Sequence, residues 1–259
     1  MRVLFVGDIF GKPGREALLR WLPGFAADRE IDFVIANGEN AANGAGITSK
    51  IAERLLAGGV DVITTGNHVW RQKEVFSFLA ADDRIVRPAN YPAGAPGRGL
   101  TVRPAADGTE VAVINLAGEL YLQSGLSPFR IVDQLVEEAQ GLADTIVVDM
   151  HAEATSEKVA MGHYLDGRVT AVVGTHTHVQ TSDARVLPGG TAYITDVGMS
   201  GPRDSVIGVR TDVILRRFIT ELPQQFEVAD GVVRLDAVVV EAEGGRATSI
   251  DTLDLILPS

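Results

Sequence analysis

The segment that most constrains this chain is Gly174-Thr175-His176-Thr177-His178, which directly follows the apolar run 169–173. Such a run, ended by glycine, predicts a buried strand, and ligands in α/β sheets bind at the carboxyl ends of strands. Two histidines two residues apart point the same way on a strand, or converge from a tight turn, so both can reach one metal. Taken alone, such a pair also occurs as ordinary surface or core histidines.

Metal-capable side chains follow four other predicted strands, over residues 2–6, 31–36, 60–65 and 145–149. The residues concerned are Asp8, Glu39, Asn40, Asn67, His68 and His151. For Asp8 the alternative is an ordinary turn or helix-capping role. The repetition at one strand end after another makes coincidence hard to defend, and it predicts a single site built from these residues with His176 and His178.

Helix and strand patterns alternate along the chain and indicate an α/β fold. Helical spacing covers 14–29, 48–57, 69–81, 128–142, 153–165 and 211–222, and Pro23 is expected to end or kink the first of these helices. Long β runs from 226 to 257 predict antiparallel strands around the turn at Gly244-Gly245. We expect one domain over residues 1–259, with loops 41–47, 88–99, 118–130 and 196–208 around the site.

Composition limits the function further. The formal net charge of −11 argues against tight binding of long nucleic acid, which needs clustered Lys and Arg. A small phosphorylated substrate remains compatible, because bound cations can supply positive charge locally. There are no cysteines, so neither disulfides nor thiolate ligands exist. With neither a secretory signal nor an apolar run long enough to span a membrane, a soluble cytoplasmic protein is expected.

Oxygen and imidazole donors without sulfur suit first-row divalent ions such as Fe, Mn or Zn. More than four ligands, with a carboxylate able to bridge, indicate two ions about 3.5–4 Å apart. Such a pair activates water as hydroxide and clamps the oxygens of an in-line displacement at phosphorus. The chemistry that these residues favour is therefore hydrolysis of a phosphate ester.

The ordered set Gly7-Asp8, Gly38-Glu39-Asn40, Gly66-Asn67-His68, His151 and Gly174-x-His176-x-His178 resembles the calcineurin-like metallophosphoesterases, whose motifs run GDxH, GD, GNH, H and GHxH. The Gly-Asp-Ile-Phe-Gly and Gly-Glu-Asn forms, with the loop 196–202, look like the bacterial YmdB-type branch. The resemblance implies a four-layer αββα sandwich with two mixed β-sheets flanked by helices. It also implies phosphodiesterase activity, with 2′,3′-cyclic nucleotides as the usual substrate, and compatibility with self-association.

The resemblance implies a role for each residue. Asp8, Glu39, Asn40 and His178 would hold one metal, and Glu39 would bridge to the second, completed by Asn67, His151 and His176. His68 would be the general acid that protonates the leaving oxygen. Phe10 stands where GDxH supplies a histidine, which makes Asn40 the candidate replacement ligand; the alternative is that its carboxamide only hydrogen-bonds a neighbouring ligand. Glu39 replaces the common Asp, and Val69 stands where many relatives carry an acidic residue that orients the histidine.

Two other functions remain open at this point. A phosphomonoesterase of the same superfamily would use the same ligand set. A regulatory protein could retain the metal site and act through partners. A complete ligand set together with His68 favours turnover, because binding alone does not require an acid.

Overall fold

Two mixed β-sheets form the centre of the protein in a computed structural model that describes residues 1–122 and 125–257. The strands in chain order are β1 (Arg2–Val6), β2 (Asp8–Ile9), β3 (Phe33–Asn37), β4 (Val62–Thr64), β5 (Leu100–Pro104), β6 (Glu110–Ala117), β7 (Thr145–His151), β8 (Ala171–Thr175), β9 (Arg185–Val186), β10 (Ala192–Ile194), β11 (Met199–Pro202), β12 (Val233–Glu243) and β13 (Arg246–Leu257). The helices are α1 (Gly11–Asp28), α2 (Ser49–Ala57), α3 (Val75–Ala81), α4 (Pro128–Gln140), α5 (Thr155–Leu165) and α6 (Thr211–Thr220).

The first sheet has the strand order β2-β11-β12-β1-β3-β4, and β13 also pairs with β12. Within it β1, β3 and β4 are parallel, whereas β12 runs antiparallel to β1 and to β13. The second sheet has the order β5-β6-β7-β8-β10-β9, with β6, β7, β8 and β10 parallel. Because parallel strands end at the same edge, the carboxyl ends of β3 and β4, and those of β7 and β8, gather polar side chains in one place.

Side chains on opposite faces of the strands pack into different cores, and the helices and sheets form four layers. Val3 and Phe5 of β1 face the second sheet and share an apolar core with Val113 and Val147. Leu4 and Val6, one residue out of phase, pack instead in the cluster that buries α1, α2 and α3. On the far side of the second sheet, a third cluster joins β6 and β7 to α4 and α5. This helix–sheet–sheet–helix arrangement confirms the predicted αββα sandwich.

Three local predictions differ from the structure. Helix α1 continues past Pro23 to Asp28, so the predicted helix end at Pro23 is wrong, whereas the alternative of a kink stays a prediction. The helix predicted over 69–81 is a short 3-10 helix, Val69–Arg71, followed by α3. The loop predicted over 196–208 contains the buried strand β11, which pairs with β2 and β12. Within the described residues, no helix is long and apolar enough to cross a membrane.

Candidate active site

All eight predicted site residues meet at the carboxyl edges of the two sheets. Asp8 begins β2, Glu39 and Asn40 follow β3, and Asn67 and His68 follow β4. His151 is the last residue of β7, whereas His176 and His178 follow β8. The side chains of Asp8, Glu39, Asn40 and His151 are almost completely buried, so the strand ends deliver charged groups into the interior between the sheets.

One half of the site is centred on His151. Its Nε2 lies 3.0 Å from Asn67 Oδ1, 3.1 Å from Glu39 Oε2 and 3.1 Å from His176 Nδ1. The donor atoms of Glu39, His151 and His176 all lie within 4.8 Å of one another. Two imidazoles and a carboxylate at this spacing could hold a metal ion.

The other half is centred on Asn40. Its Nδ2 lies 3.0 Å from His178 Nε2 and 3.4 Å from Asp8 Oδ1, and these two atoms are 3.7 Å apart. Asn40 Nδ2 also donates to Glu39 Oε1 at 3.0 Å. The two oxygens of Glu39 therefore face different halves of the site, which is what a bridging carboxylate requires. Asn40 presents its amide nitrogen here, so a ligand role for Asn40 needs its Oδ1 turned inward.

A buried relay orients His151. Asp149 accepts a hydrogen bond from the Thr175 hydroxyl at 2.7 Å, and Thr175 Oγ1 lies 2.9 Å from His151 Nδ1. Because the only hydroxyl proton of Thr175 points to Asp149, His151 donates through Nδ1–H, and the lone pair of its Nε2 can face the centre of the site. Asp149 also accepts from the Thr64 hydroxyl at 2.5 Å.

The other two histidines are oriented in the same manner. His176 Nε2 lies 3.0 Å from Glu153 Oε2, which leaves Nδ1 for the centre. His178 Nδ1 lies 3.1 Å from the Ile207 carbonyl oxygen, which leaves Nε2 for the centre. In each of the three histidines, the ring nitrogen that points away from the centre of the site has a hydrogen-bond acceptor. The other ring nitrogen faces the remaining candidate metal ligands, which is the arrangement of metal-binding imidazoles. The residues present therefore fit divalent cations.

The loop that carries His176 and His178 has a strained backbone. Both histidines have positive φ, 101° and 65°, a conformation that L-residues other than glycine adopt uncommonly. Asp196 holds the loop by accepting the Thr177 N–H at 3.0 Å and the Thr177 hydroxyl at 2.6 Å. The same carboxylate is ion-paired with buried Lys158 at 2.8 Å. Sequence reasoning missed Asp196 and Lys158, because neither belongs to a ligand motif.

Gly66 shows why glycine precedes Asn67 in this segment. A Cβ built at Gly66 would collide with His151 Nε2 and with Glu39 Oε2. Without a side chain, the main chain runs directly beneath the cluster, and the N–H of His68 donates to Glu39 Oε2 at 3.1 Å.

Glu39 and Asn40 orient His68. His68 Nδ1 lies 2.7 Å from Asn40 Oδ1 and 3.3 Å from Glu39 Oε1. These two contacts orient the imidazole, as an acidic residue at the position of Val69 would do. Val69 itself is buried in the core. Phe10, at the position of the histidine of GDxH, packs its ring edge-on against His178 at 5.6 Å between centroids.

The electrostatics of the site favour a cation at its centre. Burial raises the pKa of Asp8, whereas His151 and His68 hold the pKa of Glu39 well below its usual range despite burial. Burial opposes protonation of His151, but Glu39, Asp8 and Asp149 raise its pKa to about 9. Burial and the neighbouring His151 lower the pKa of His176 to about 3. A protonated His151 thus supplies the positive charge that the buried carboxylates require in the absence of metal.

A cavity of about 240 Å³ lies beside the cluster and is lined by Glu39, Asn40, His68, His176, His178 and Ile207, among others. Of the four loops predicted to surround the site, 196–208 contributes Ile207, and 41–47 contributes residues 43–45 to a neighbouring cavity. Loop 88–99 packs on β6 through Asn90, which exchanges two hydrogen bonds with the main chain of Ala117. Of loop 118–130, residues 123 and 124 lie outside the described residues. For these two loops the rim role stays a prediction.

Comparison with known families adds independent information. The family described as YmdB-like protein matches residues 4–253. The chain belongs to the YmdB-like family. This confirms the resemblance inferred from the motifs.

Several known proteins and solved structures are similar to this YmdB-like chain. The 2′,3′-cyclic-nucleotide 2′-phosphodiesterase of Bacillus subtilis is 50% identical to it over 243 residues, which cover 94% of this chain and 92% of that protein. A crystal structure of a hypothetical protein from Thermus thermophilus has a TM-score of 0.94 and 45% identity, and the match covers 100% of both chains. A crystal structure titled as a novel phosphatase, from Mycoplasma pneumoniae, has a TM-score of 0.92 and 34% identity, covering 99% of this chain and 93% of that one.

Proposed function

We propose that this YmdB-like protein is a dinuclear metal-dependent phosphodiesterase that opens small cyclic phosphodiesters, with 2′,3′-cyclic nucleotides as its substrates. The observation that carries the proposal is Glu39, whose Oε2 faces His151 and whose Oε1 faces Asn40. One carboxylate between two sets of donors supports two cations rather than one. The activity named for the Bacillus subtilis relative supports the substrate class.

The proposed ligands divide between two positions. Glu39, Asn67, His151 and His176 would hold one cation, and Asp8, Glu39, Asn40 and His178 would hold the other. Oxygen and imidazole donors without sulfur favour Fe or Mn, with Zn as the alternative. When bound, such cations lower the pKa of water and neutralise the charge on a phosphate.

His68 supplies the proton in the proposed reaction. Water attacks phosphorus and releases one proton to solvent, the ring P–O bond breaks, and the leaving ribose oxygen takes the proton of His68 Nε2. Glu39 Oε1, which lies 3.3 Å from His68 Nδ1, remains an acceptor for that nitrogen when Asn40 Oδ1 is turned toward the cation, so that His68 Nε2 stays directed away from Glu39. The product is a ribonucleoside monophosphate, and His68 regains its proton from solvent through the adjoining cavity.

A phosphomonoesterase is the second candidate, because the similar Mycoplasma pneumoniae structure is titled as a phosphatase. Both reactions need the same metal cluster, so they are separated by substrate. The protein would be purified and analysed for bound metal, then assayed with 2′,3′-cyclic AMP beside p-nitrophenyl phosphate. About two metals per chain with preferential opening of the cyclic diester is the expected result. Turnover of the monoester alone would favour the phosphatase.

His68→Ala tests the acid, and His163→Ala is the matched control because His163 is exposed near the end of α5. We expect His68→Ala to lose about 10²–10⁴ in rate and to retain its metal. His163→Ala should retain both. Absence of turnover in the wild type, even after addition of Mn²⁺ or Fe²⁺, would refute the enzyme assignment and leave a regulatory protein.

A further inference from the structure

A second cavity, of about 300 Å³, adjoins the one beside the proposed metal site. The two cavities share Asn40, His68, His178 and Ile207 as walls. A ligand whose reacting group contacts His68 can therefore extend into the second cavity without leaving the protein surface. The volume is at the lower end of that found for small-molecule sites.

The second cavity differs in chemistry from the catalytic one. Its walls include the apolar side chains of Phe10, Ile207, Val209, Phe226 and Val228, and we call this surface the apolar wall. Phe226 is 48% exposed and Ile207 is 50% exposed, so both have apolar area to bury against a ligand. Catalysis at phosphorus does not need apolar groups, and the apolar wall therefore suits a part of the substrate that does not react.

Polar groups also line the same cavity. Asn43 and Glu227 contribute to its lining, and Glu227 is held by an ion pair with Arg210 at 2.8 Å. Apolar faces bordered by a few polar groups match a flat heteroaromatic ring, which has an apolar face and a hydrogen-bonding edge. A second phosphate would be a poor occupant, because Glu227 is acidic and the described lining residues include neither Lys nor Arg.

Ile207 provides an independent sign that the cavity has a function. Ile207 and Gly208 form a two-residue turn in which Val206 and Val209 exchange hydrogen bonds at 2.9 and 3.0 Å. Their φ values are 46° and 100°, and such turns favour asparagine or glycine over a β-branched residue. A strained non-glycine residue beside a site is grounds for a functional hypothesis. The turn places Ile207 in the lining of both cavities.

We propose that the apolar wall binds the nucleobase of the cyclic nucleotide while its phosphate lies at the cluster of Glu39, His151 and His176. This subsite rests on the proposed function and deepens it, because it assigns residues to the recognition of the nucleoside. Phe226 contacts the face of the base, and Ile207 packs between the base and the ribose.

The test compares 2′,3′-cyclic AMP with glycerol 1,2-cyclic phosphate, which keeps the five-membered cyclic diester but lacks the base and the ribose ring. Loss of an aromatic group that stacks on a base lowers affinity about 5- to 150-fold. For Phe226→Ala we expect the ratio of kcat/KM for the nucleotide over the base-free diester to fall about tenfold, mainly through KM for the nucleotide. Phe218→Ala is the matched control, since Phe218 is 75% exposed on α6 and is not in the apolar wall.

Ile207→Asn gives a second measurement that misfolding cannot imitate. Asparagine suits the left-handed turn, so this variant should unfold at a temperature no lower than that of the wild type, and yet its preference for the nucleotide should fall. The proposal is overturned if Phe226→Ala keeps the preference of the wild type, or if Phe218→Ala loses as much. If the wild type opens both diesters equally well, the nucleobase subsite is refuted but the proposed phosphodiesterase function is not. A metal-loaded wild type that opens neither refutes the proposed function and the subsite together.

Discussion

The buried ion pair between Lys158 and Asp196 is expected to connect the stability of the protein to the geometry of its site. Lys158 Nζ lies 2.8 Å from Asp196 Oδ2 and 3.2 Å from the Thr175 carbonyl oxygen, and the exposed fractions of the two side chains are 1% and 0%. The carboxylate also accepts both hydrogen bonds from Thr177. Asp196→Asn keeps the shape of the side chain but leaves the Lys158 ammonium buried without a counter-charge.

Removing one partner of a buried ion pair costs about 3–5 kcal/mol of unfolding free energy. For a chain of this size, about 2–4 °C per kcal/mol gives a decrease in Tm of about 6–20 °C. The metal-free protein would be unfolded with urea and by heating, with Asp204→Asn as the control because Asp204 is exposed in the same segment. The control should lie within about 0.5 kcal/mol of the wild type.

The same variant should weaken metal binding about 10- to 100-fold, since Asp196 holds the strained loop between His176 and His178. Adding Lys158→Met to Asp196→Asn removes the orphaned charge and should restore most of the stability but not the metal affinity. A loss below about 1 kcal/mol for Asp196→Asn would refute the energetic reasoning. An unchanged metal affinity in a destabilised variant would refute the proposed connection to the site.

Two further predictions follow from buried polar groups. Thr175→Val keeps the shape but removes the hydroxyl between Asp149 and His151, and it should lower metal affinity about 10- to 100-fold in equilibrium dialysis; an unchanged affinity would contradict the relay. Burial, only partly offset by Arg234, raises the pKa of Asp236 to about 6. Because the pKa of Asp236 is higher in the folded protein than in the unfolded chain, protonation of Asp236 stabilises the fold at low pH. This stabilisation is lost as the pH rises from the pKa of the unfolded chain through about 6. The wild type, compared with Asp236→Asn at each pH, should therefore lose about 2 kcal/mol in urea unfolding between about pH 4.5 and about pH 7.5. A difference that does not depend on pH would contradict this titration.

The clustering of the candidate site residues was largely predictable because parallel strands place their carboxyl ends together. Glu39, Asn67, His151 and His176 are separated by up to 137 residues in sequence yet surround one point, as their positions after strands implied. The sandwich followed from the long C-terminal β runs and from the family resemblance. These are features in which periodicity and topology act in the same direction.

What could not be predicted depends on contacts between distant segments. Strand β11 is short and contains glycine and proline, and it forms because β2 and β12 supply partners on both sides. Lys158 looks like an ordinary surface residue of a helix, and its burial follows from the position of Asp196 in the folded chain. The strained backbone at Ile207 likewise could not be predicted from the sequence, since the turn is defined by the hydrogen bonds between Val206 and Val209.

Because Phe10 stands at the position of a histidine ligand, the proposed metal binding and the proposed proton transfer both involve Asn40. A phenyl ring cannot bind metal, and Phe10 instead packs against His178. Asn40 lies among Asp8, Glu39 and His178 with one end of its amide and contacts His68 with the other. A single amide therefore adjoins both the proposed metal position and the proposed acid, so any substitution of Asn40 disturbs both at once. His68→Ala removes the acid and leaves that amide in place, which makes it the variant that separates proton transfer from metal binding.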